Sequence, residues 1–119
     1  MRTPEKILEN LHSLETELLD TITQLNALED AEMVVEPEHR KMVSELMNSD
    51  FIAKLPNQSM RDDALENYIL NNEQYRPMHE KWLIAKNETK RMYRKYRFLE
   101  ECLKDCRTEL QLLAFGGDK

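Results

Sequence analysis

Three histidines and two cysteines are the side chains of this sequence best suited to bind a metal ion. His12, His39 and His79 fall in three separate segments, and none has a close companion of the right type. Cys102 and Cys106 lie one helical turn apart, with no second pair to complete a four-ligand zinc site. The sequence therefore predicts no metal and no cofactor, and two cysteines predict packed, reduced thiols rather than a disulfide framework.

Groupings typical of a catalytic centre are also missing from the pattern. No glycine-rich phosphate loop follows a strand, and no strand is predicted. An extended helical bundle offers little concave surface from which water is excluded. We therefore predict no catalytic residues and a protein that is not an enzyme.

The distribution of charge provides the strongest candidate for a binding site. The net charge is −6, but residues 5–36 carry nine acids against one lysine, whereas residues 76–97 carry eight basic residues against two acids. Such asymmetry indicates either a nucleic-acid surface or two helices that lie beside each other. The candidate nucleic-acid contacts are spaced four, four and three residues apart, on the face opposite the apolar seam described next: Lys86, Lys90, Arg94 and Arg97.

One apolar seam organises the second half of the chain. Eleven residues follow one another at alternating intervals of four and three, the spacing of a coiled-coil seam. They are Met78, Trp82, Ala85, Thr89, Met92, Tyr96, Leu99, Leu103, Cys106, Leu110 and Leu113. The pattern predicts a helix over about residues 77–115, which would be about 58 Å long. A compact globule of this size is only about 35 Å across, so other helices or a second chain must lie along it.

The first half predicts a second long helix and a less regular middle. Thr3-Pro4 is a typical helix start, and the apolar spacing predicts a straighter amphipathic helix over about residues 4–32, widened by Leu8 and Leu19. Pro37 predicts a restart and a short helix over about 37–48. Ser59 and Asp62 resemble a capping box that opens a helix over about 59–72. Before Pro77, the sequence leaves a kink and a true break as alternatives.

These elements predict an all-α, elongated helical bundle or coiled coil with one long C-terminal helix, folded as a single domain over residues 1–119. No apolar run is long enough for a membrane span, which predicts a cytoplasmic protein. A first helix of about 42 Å would leave about three turns of the long helix uncovered. We therefore predict a homo-oligomer through the most apolar end of the seam, and in a parallel dimer the Cys106 thiols would face each other. The predicted oligomer seam is Leu99, Leu103, Cys106, Leu110 and Leu113.

The second half also resembles a known type of protein. The run from Asn57 to Leu65 and the pair Tyr75-Arg76 are followed by Ala85, Tyr93, Leu99, Leu103, Arg107 to Leu110, and Leu113. Over about residues 56–115, this pattern is similar to small helical proteins of bacteriophages and prophages, often encoded near replication and single-strand annealing genes. The resemblance implies no catalytic residues and a bacterial host cytoplasm as the location.

From these features the leading prediction is a phage-type adaptor or inhibitor. It would bind a protein of DNA replication, recombination or host defence. The alternative is a nucleic-acid-binding accessory protein that uses the basic residues of the long helix. A third reading is that the acidic first helix mimics DNA toward a basic partner.

Overall fold

A computed structural model describes residues 3–116, and within that range the chain forms four helices and no strand. α1 is Pro4–Met47, α2 is Asp50–Ala53, α3 is Gln58–Leu70 and α4 is Arg76–Gly116. The predicted all-α class and the long C-terminal helix are confirmed. None of the helices in these residues combines the length and apolar character that a membrane span requires.

α1 begins as predicted, but it does not end where the sequence indicated. The Thr3 hydroxyl accepts a hydrogen bond from the backbone N–H of Lys6 at 3.3 Å, which caps the first turn. The helix then continues through Pro37 to Met47. The predicted break between residues 32 and 37, and the separate helix over 37–48, are therefore wrong.

The buried face of α1 explains why Pro37 does not break the helix. Thr21 is fully buried, and its hydroxyl donates to the Glu17 carbonyl at 2.8 Å, so this polar residue fills a position in the apolar seam. With Thr21 included, the intervals alternate between four and three along the whole helix. Each position of this α1 seam is buried or half-buried: Ile7, Leu11, Leu14, Leu18, Thr21, Leu25, Leu28, Glu32, Val35, His39, Met42 and Leu46.

Two smaller predictions about α1 are corrected by the same pattern. Leu8 and Leu19 are 54% and 67% exposed, so they do not widen the buried face. The seam keeps a period of 3.5 residues, which is the coiled-coil period rather than that of a straight amphipathic helix.

The chain divides into two compact units, and both long helices contribute to each. Unit 1 contains residues 3–27 and 89–116 among those described, and unit 2 contains residues 28–88. The prediction of a single domain stays a prediction.

In unit 1, segments of α1 and α4 pair antiparallel. The Cys106 thiol donates to the Ile7 carbonyl at 3.4 Å, and the Lys95 ammonium lies 3.7 Å from the Glu17 carboxylate. Residue numbers thus rise along α1 as they fall along α4. The buried apolar residues of this unit are Ile7, Leu25, Leu99, Leu103 and Cys106.

In unit 2, all four helices contribute to a small core. Its buried centre is Met42, Leu46, Ile52 and Ile69, and the half-buried side chains around it include Tyr68, Tyr75 and Met78. The Tyr68 ring contacts the rings of Phe51 and Tyr75 at centroid distances of 4.9 and 5.9 Å. α2 and α3 therefore close the space between the end of α1 and the start of α4.

The boundaries of α3 and α4 test the predicted Ser59 cap and decide between a kink and a break before Pro77. The Asn57 side chain accepts a hydrogen bond from the Met60 N–H at 2.9 Å, so Asn57 is the N-cap and α3 begins at Gln58. The predicted Ser59 cap is wrong by two residues. Residues 71–75 separate α3 from α4, and Pro77 lies in the first turn of α4, so the alternative of a true break is correct.

Candidate functional site

A polar and aromatic cluster lies between α1 and α4 in unit 2. The Trp82 indole N–H donates to Glu36 Oε2 at 2.7 Å, and His39 Nε2 lies 3.0 Å from His79 Nδ1. The Lys86 ammonium lies over the Trp82 ring, 4.4 Å from its centroid. We call these five residues, Glu36, His39, His79, Trp82 and Lys86, the histidine–tryptophan cluster.

Helical spacing places the cluster residues on facing sides of the two helices. Glu36 and His39 are three residues apart on α1, and His79, Trp82 and Lys86 are three and four apart on α4, so each set shares a face. His39 and Trp82 occupy seam positions of their helices. Their rings stack at 3.7 Å between centroids with an interplanar angle of 3°, which excludes water from both faces in contact.

The electrostatics of the cluster follow from these contacts. The hydrogen bond from Trp82 lowers the pKa of the Glu36 carboxyl below its ordinary value, and the nearby Lys86, Arg40 and His39 lower it further against an opposing effect of burial. Burial lowers the pKa of His39, since His39 is only 6% exposed. At neutral pH the cluster therefore holds an ionised carboxylate beside an uncharged imidazole.

The histidine pair is the feature that sequence reasoning missed. The sequence showed His39 and His79 in separate segments, forty residues apart. Once α1 continues through Pro37, its seam faces that of α4 in unit 2 and the two rings meet. The sequence signal for this pairing is the continuous α1 seam, which becomes visible when Thr21 is counted as a core residue. Among residues 3–116, no group of three or more metal-ligating side chains is placed to hold a metal ion.

Several exposed apolar side chains lie at the same height along α1 and α4 as the histidine–tryptophan cluster of unit 2. Met33 lies one turn before Glu36 on α1, and Leu83 follows Trp82 directly on α4. Because Trp82 is hydrogen-bonded to Glu36, these positions lie within about one 5.4 Å turn of each other along the helix axes. We call the exposed residues Met33, Val34, Leu83 and Ile84 the apolar belt; they are 72%, 65%, 38% and 59% exposed.

Two open clefts flank these features in unit 2. One, of about 350 Å³, is lined by Met42, Tyr75 and Met78 with charged and polar residues at its edge: Glu38, Lys41, Glu45 and Gln74. The other, of about 370 Å³, is lined by Glu29, Glu32, Met33, Glu36 and Lys86. Both have apolar surface inside a charged rim, an arrangement that can receive a side chain of a partner protein.

In the structure, the first residues of the predicted oligomer seam are buried within the single chain. Leu99, Leu103 and Cys106 are only 2%, 3% and 1% exposed in the single chain, and the Cys106 thiol is hydrogen-bonded to Ile7. Leu110 and Leu113 are half-buried. α1 of the same chain therefore occupies the place predicted for a second copy, and Cys106 thiols could meet only if α1 were displaced. Self-association stays a prediction that needs another surface.

The predicted nucleic-acid contacts are separated into two environments. Lys90, Arg94 and Arg97 are exposed on α4 in unit 1. Lys86 belongs to unit 2, where it is half-buried and engaged with Trp82. It directly follows the seam residue Ala85, which explains why it lies beside the helix interface rather than opposite it.

Comparison with known proteins gives no match: no protein-family model, no curated protein and no solved structure matches this chain. The resemblance to phage proteins therefore stays a prediction from the sequence pattern.

Proposed function

We propose that this chain is a non-enzymatic helical adaptor or inhibitor that binds a partner protein through the apolar belt of unit 2. The observation that carries the proposal is the exposure of Met33, Val34 and Ile84, each more than half open to solvent at one level of unit 2. Single exposed apolar residues are ordinary, whereas several grouped together are typical of a protein-binding surface.

The size of the surface suits a partner that contributes its own apolar anchors. Full burial of an aliphatic side chain contributes about 1.5–3 kcal/mol, and these side chains are already partly covered. Four of them would contribute on the order of 4–8 kcal/mol, comparable with the cost of about 4–15 kcal/mol for association. Stable binding therefore requires additional contacts, and the clefts beside the belt are placed to receive side chains of the partner.

The class of partner follows from the phage resemblance alone. It supports a protein of phage DNA replication, recombination or host defence, and with it a location in the bacterial host cytoplasm. The charges support the choice of a protein partner over DNA at this surface, since the cleft that includes Met33 carries Glu29, Glu32 and Glu36 against a single lysine. Carboxylates repel a phosphate backbone and attract basic side chains.

A matched pair of triple variants tests the proposal. Met33, Val34 and Ile84 are replaced by glutamine in one variant, which removes the three most exposed residues of the apolar belt without adding charge. In the control, Leu19, Phe98 and Leu112 of unit 1 are replaced by glutamine, and they are 67%, 66% and 66% exposed. Both variants should retain the helical circular dichroism of the natural chain.

The readout is binding of a partner that the natural chain captures from a phage-infected bacterial lysate. We expect the belt variant to lose that partner and the control to keep it. If both variants keep the partner, or if only the control loses it, the belt is not the binding surface. A photo-crosslinking residue at position 34 should label the same partner, whereas one at position 19 should not.

Nucleic-acid binding is the second candidate, and the exposed Lys90, Arg94 and Arg97 favour it. They are spaced four and three residues apart on one side of α4 in unit 1. Three phosphate contacts would give a slope of about −2 to −3 in a plot of log affinity against log salt concentration. Binding through apolar anchors would survive the same change of salt. A gel-shift salt series separates the two, and loss of retained DNA in Lys90→Glu with Arg94→Glu would favour the second candidate.

A further inference from the structure

We propose that His39 and His79 form a proton-sensitive latch in unit 2, which joins α1 to α4 at neutral pH and opens when both imidazoles are protonated. The proposal does not depend on the proposed function, because it concerns the pairing of two helices within the chain. It rests on the 3.0 Å contact between His39 Nε2 and His79 Nδ1.

This contact requires one of the two facing nitrogens to be unprotonated. A hydrogen bond between imidazoles needs a donor N–H on one ring and a free lone pair on the other. The pair can therefore hold one proton between the rings, whichever ring supplies it. When both nitrogens carry a proton, two donors and two positive charges face each other, and the contact becomes repulsive.

The surroundings of His39 prevent the ring from turning away to relieve that repulsion. His39 is 6% exposed and lies flat against the Trp82 indole, with ring planes within 3° of each other. The His79 ring lies 5.3 Å from His39 and 5.6 Å from Trp82, measured between centroids. A rotation of His39 would lose the stack with Trp82, and a rotation of His79 would lose its contacts with both rings. Either movement that relieves the repulsion therefore weakens the contact between α1 and α4.

Charged groups from both helices act on His39. Burial has the largest effect and lowers its pKa, the facing His79 of α4 lowers it further, and Lys86 of α4 has the same direction. Glu36 of α1 opposes them, but its carboxylate already accepts the Trp82 N–H at 2.7 Å and lies 3.7 Å from the Arg40 guanidinium. Together, these effects on the pKa favour the uncharged form of His39.

The direction of the pH effect follows from this lowered pKa. An unfolded histidine protonates near pH 6.5, so below that pH the unfolded chain binds a proton that the folded chain resists. The stability that the latch provides is complete above about pH 6.5 and falls as the pH decreases below it. Most carboxylates titrate near pH 4, so the loss of latch stability begins at a higher pH than the titration of most carboxylates.

The chain contains its own probe of the latch, since Trp82 is its single tryptophan. We expect its fluorescence emission to move to longer wavelength and its quenching by acrylamide to increase as the pH falls below about 6.5. The midpoint of urea unfolding should fall over the same pH range. Acrylamide access matters here because protonated imidazole can dim tryptophan fluorescence without any opening.

Three substitutions complete the experiment. His79→Gln keeps an amide that can bond to His39 but cannot titrate, and His39→Phe keeps an aromatic ring on Trp82 without a proton site. Both should lose the increase in acrylamide access, whereas the control His12→Gln, an exposed histidine of unit 1, should keep it. If His39→Phe does not fold, His79→Gln alone decides. Acrylamide access that is independent of pH in the natural chain, or that still increases in His79→Gln, would overturn the proposal.

Discussion

Pro37 is the residue whose replacement should stabilise this chain most. It lies inside α1, where proline cannot donate the hydrogen bond that the Met33 carbonyl would otherwise accept, and where its ring crowds that carbonyl. Met33 and Pro37 are both exposed, so water can solvate the unpaired carbonyl and no packing contact depends on the proline ring. Pro37→Ala should therefore restore a helical hydrogen bond and lose almost nothing.

The expected magnitude comes from helix propensity. Proline in a helix interior is about 3 kcal/mol less favourable than alanine, and relaxation of the helix around Pro37 will have removed part of that difference. We expect Pro37→Ala to raise the free energy of unfolding by about 1–3 kcal/mol. For a chain of this length, each 1 kcal/mol raises Tm by about 4 °C, so the expected rise is roughly 4–12 °C.

Pro77→Ala is the matched control. Pro77 is also exposed, but it lies in the first turn of α4, where the backbone N–H has no partner within the helix. Its replacement should change stability little. Both variants can be compared with the natural chain by urea and thermal unfolding, followed by circular dichroism at the helix band. If Pro37→Ala is no more stable than Pro77→Ala, α1 is not a continuous helix through residue 37.

Two further predictions test the unit 1 core and the α3 cap. Leu103→Ala should destabilise the chain by about 2–5 kcal/mol, because Leu103 is only 3% exposed. Leu112→Ala, at a 66% exposed position, should change the free energy of unfolding by no more than about 0.5 kcal/mol. Urea unfolding measures both changes. Asn57→Ala should cost about 1 kcal/mol through loss of the cap to Met60, and Ser59→Ala should cost less. Equal losses at positions 57 and 59 would contradict the cap that the structure shows.

Much of the fold is predictable from the spacing of apolar residues, and the main error, an end of α1 before Pro37, comes from giving the proline more weight than that spacing. The α4 seam is predicted correctly by this spacing, since all eleven of its residues are buried or half-buried. In the first half, a count of apolar residues alone passes through Ile22 instead of the buried Thr21, which interrupts the alternation of four and three. Threonine counts as polar in such a reading, but its hydroxyl can bond to the backbone one turn earlier and let the methyl group pack. Thr21 does so.

The early end predicted for α1 is also the reason for the predicted homo-oligomer, which stays a prediction. A first helix that ends near residue 32 is too short to cover the long one, so a second copy seemed necessary. The observed α1 has 44 residues and α4 has 41, so the first helix is not shorter than the last. The difference in helix length that led to the prediction of a second copy is therefore absent. Heptad spacing identifies seam positions, but it does not say whether the partner helix belongs to the same chain.

The polar residues within the seams can fix the alignment of the two helices, which apolar periodicity alone does not. In unit 2, His39 occupies a seam position and is matched to His79 and Trp82 across the interface. If α1 slipped along α4 by one heptad, the apolar contacts would be largely conserved, but the buried imidazole would lose its partner at a cost of about 1–3 kcal/mol. A single polar seam residue fixes the alignment of coiled coils in this way. The same histidine that selects the alignment of the two helices thereby makes it dependent on pH.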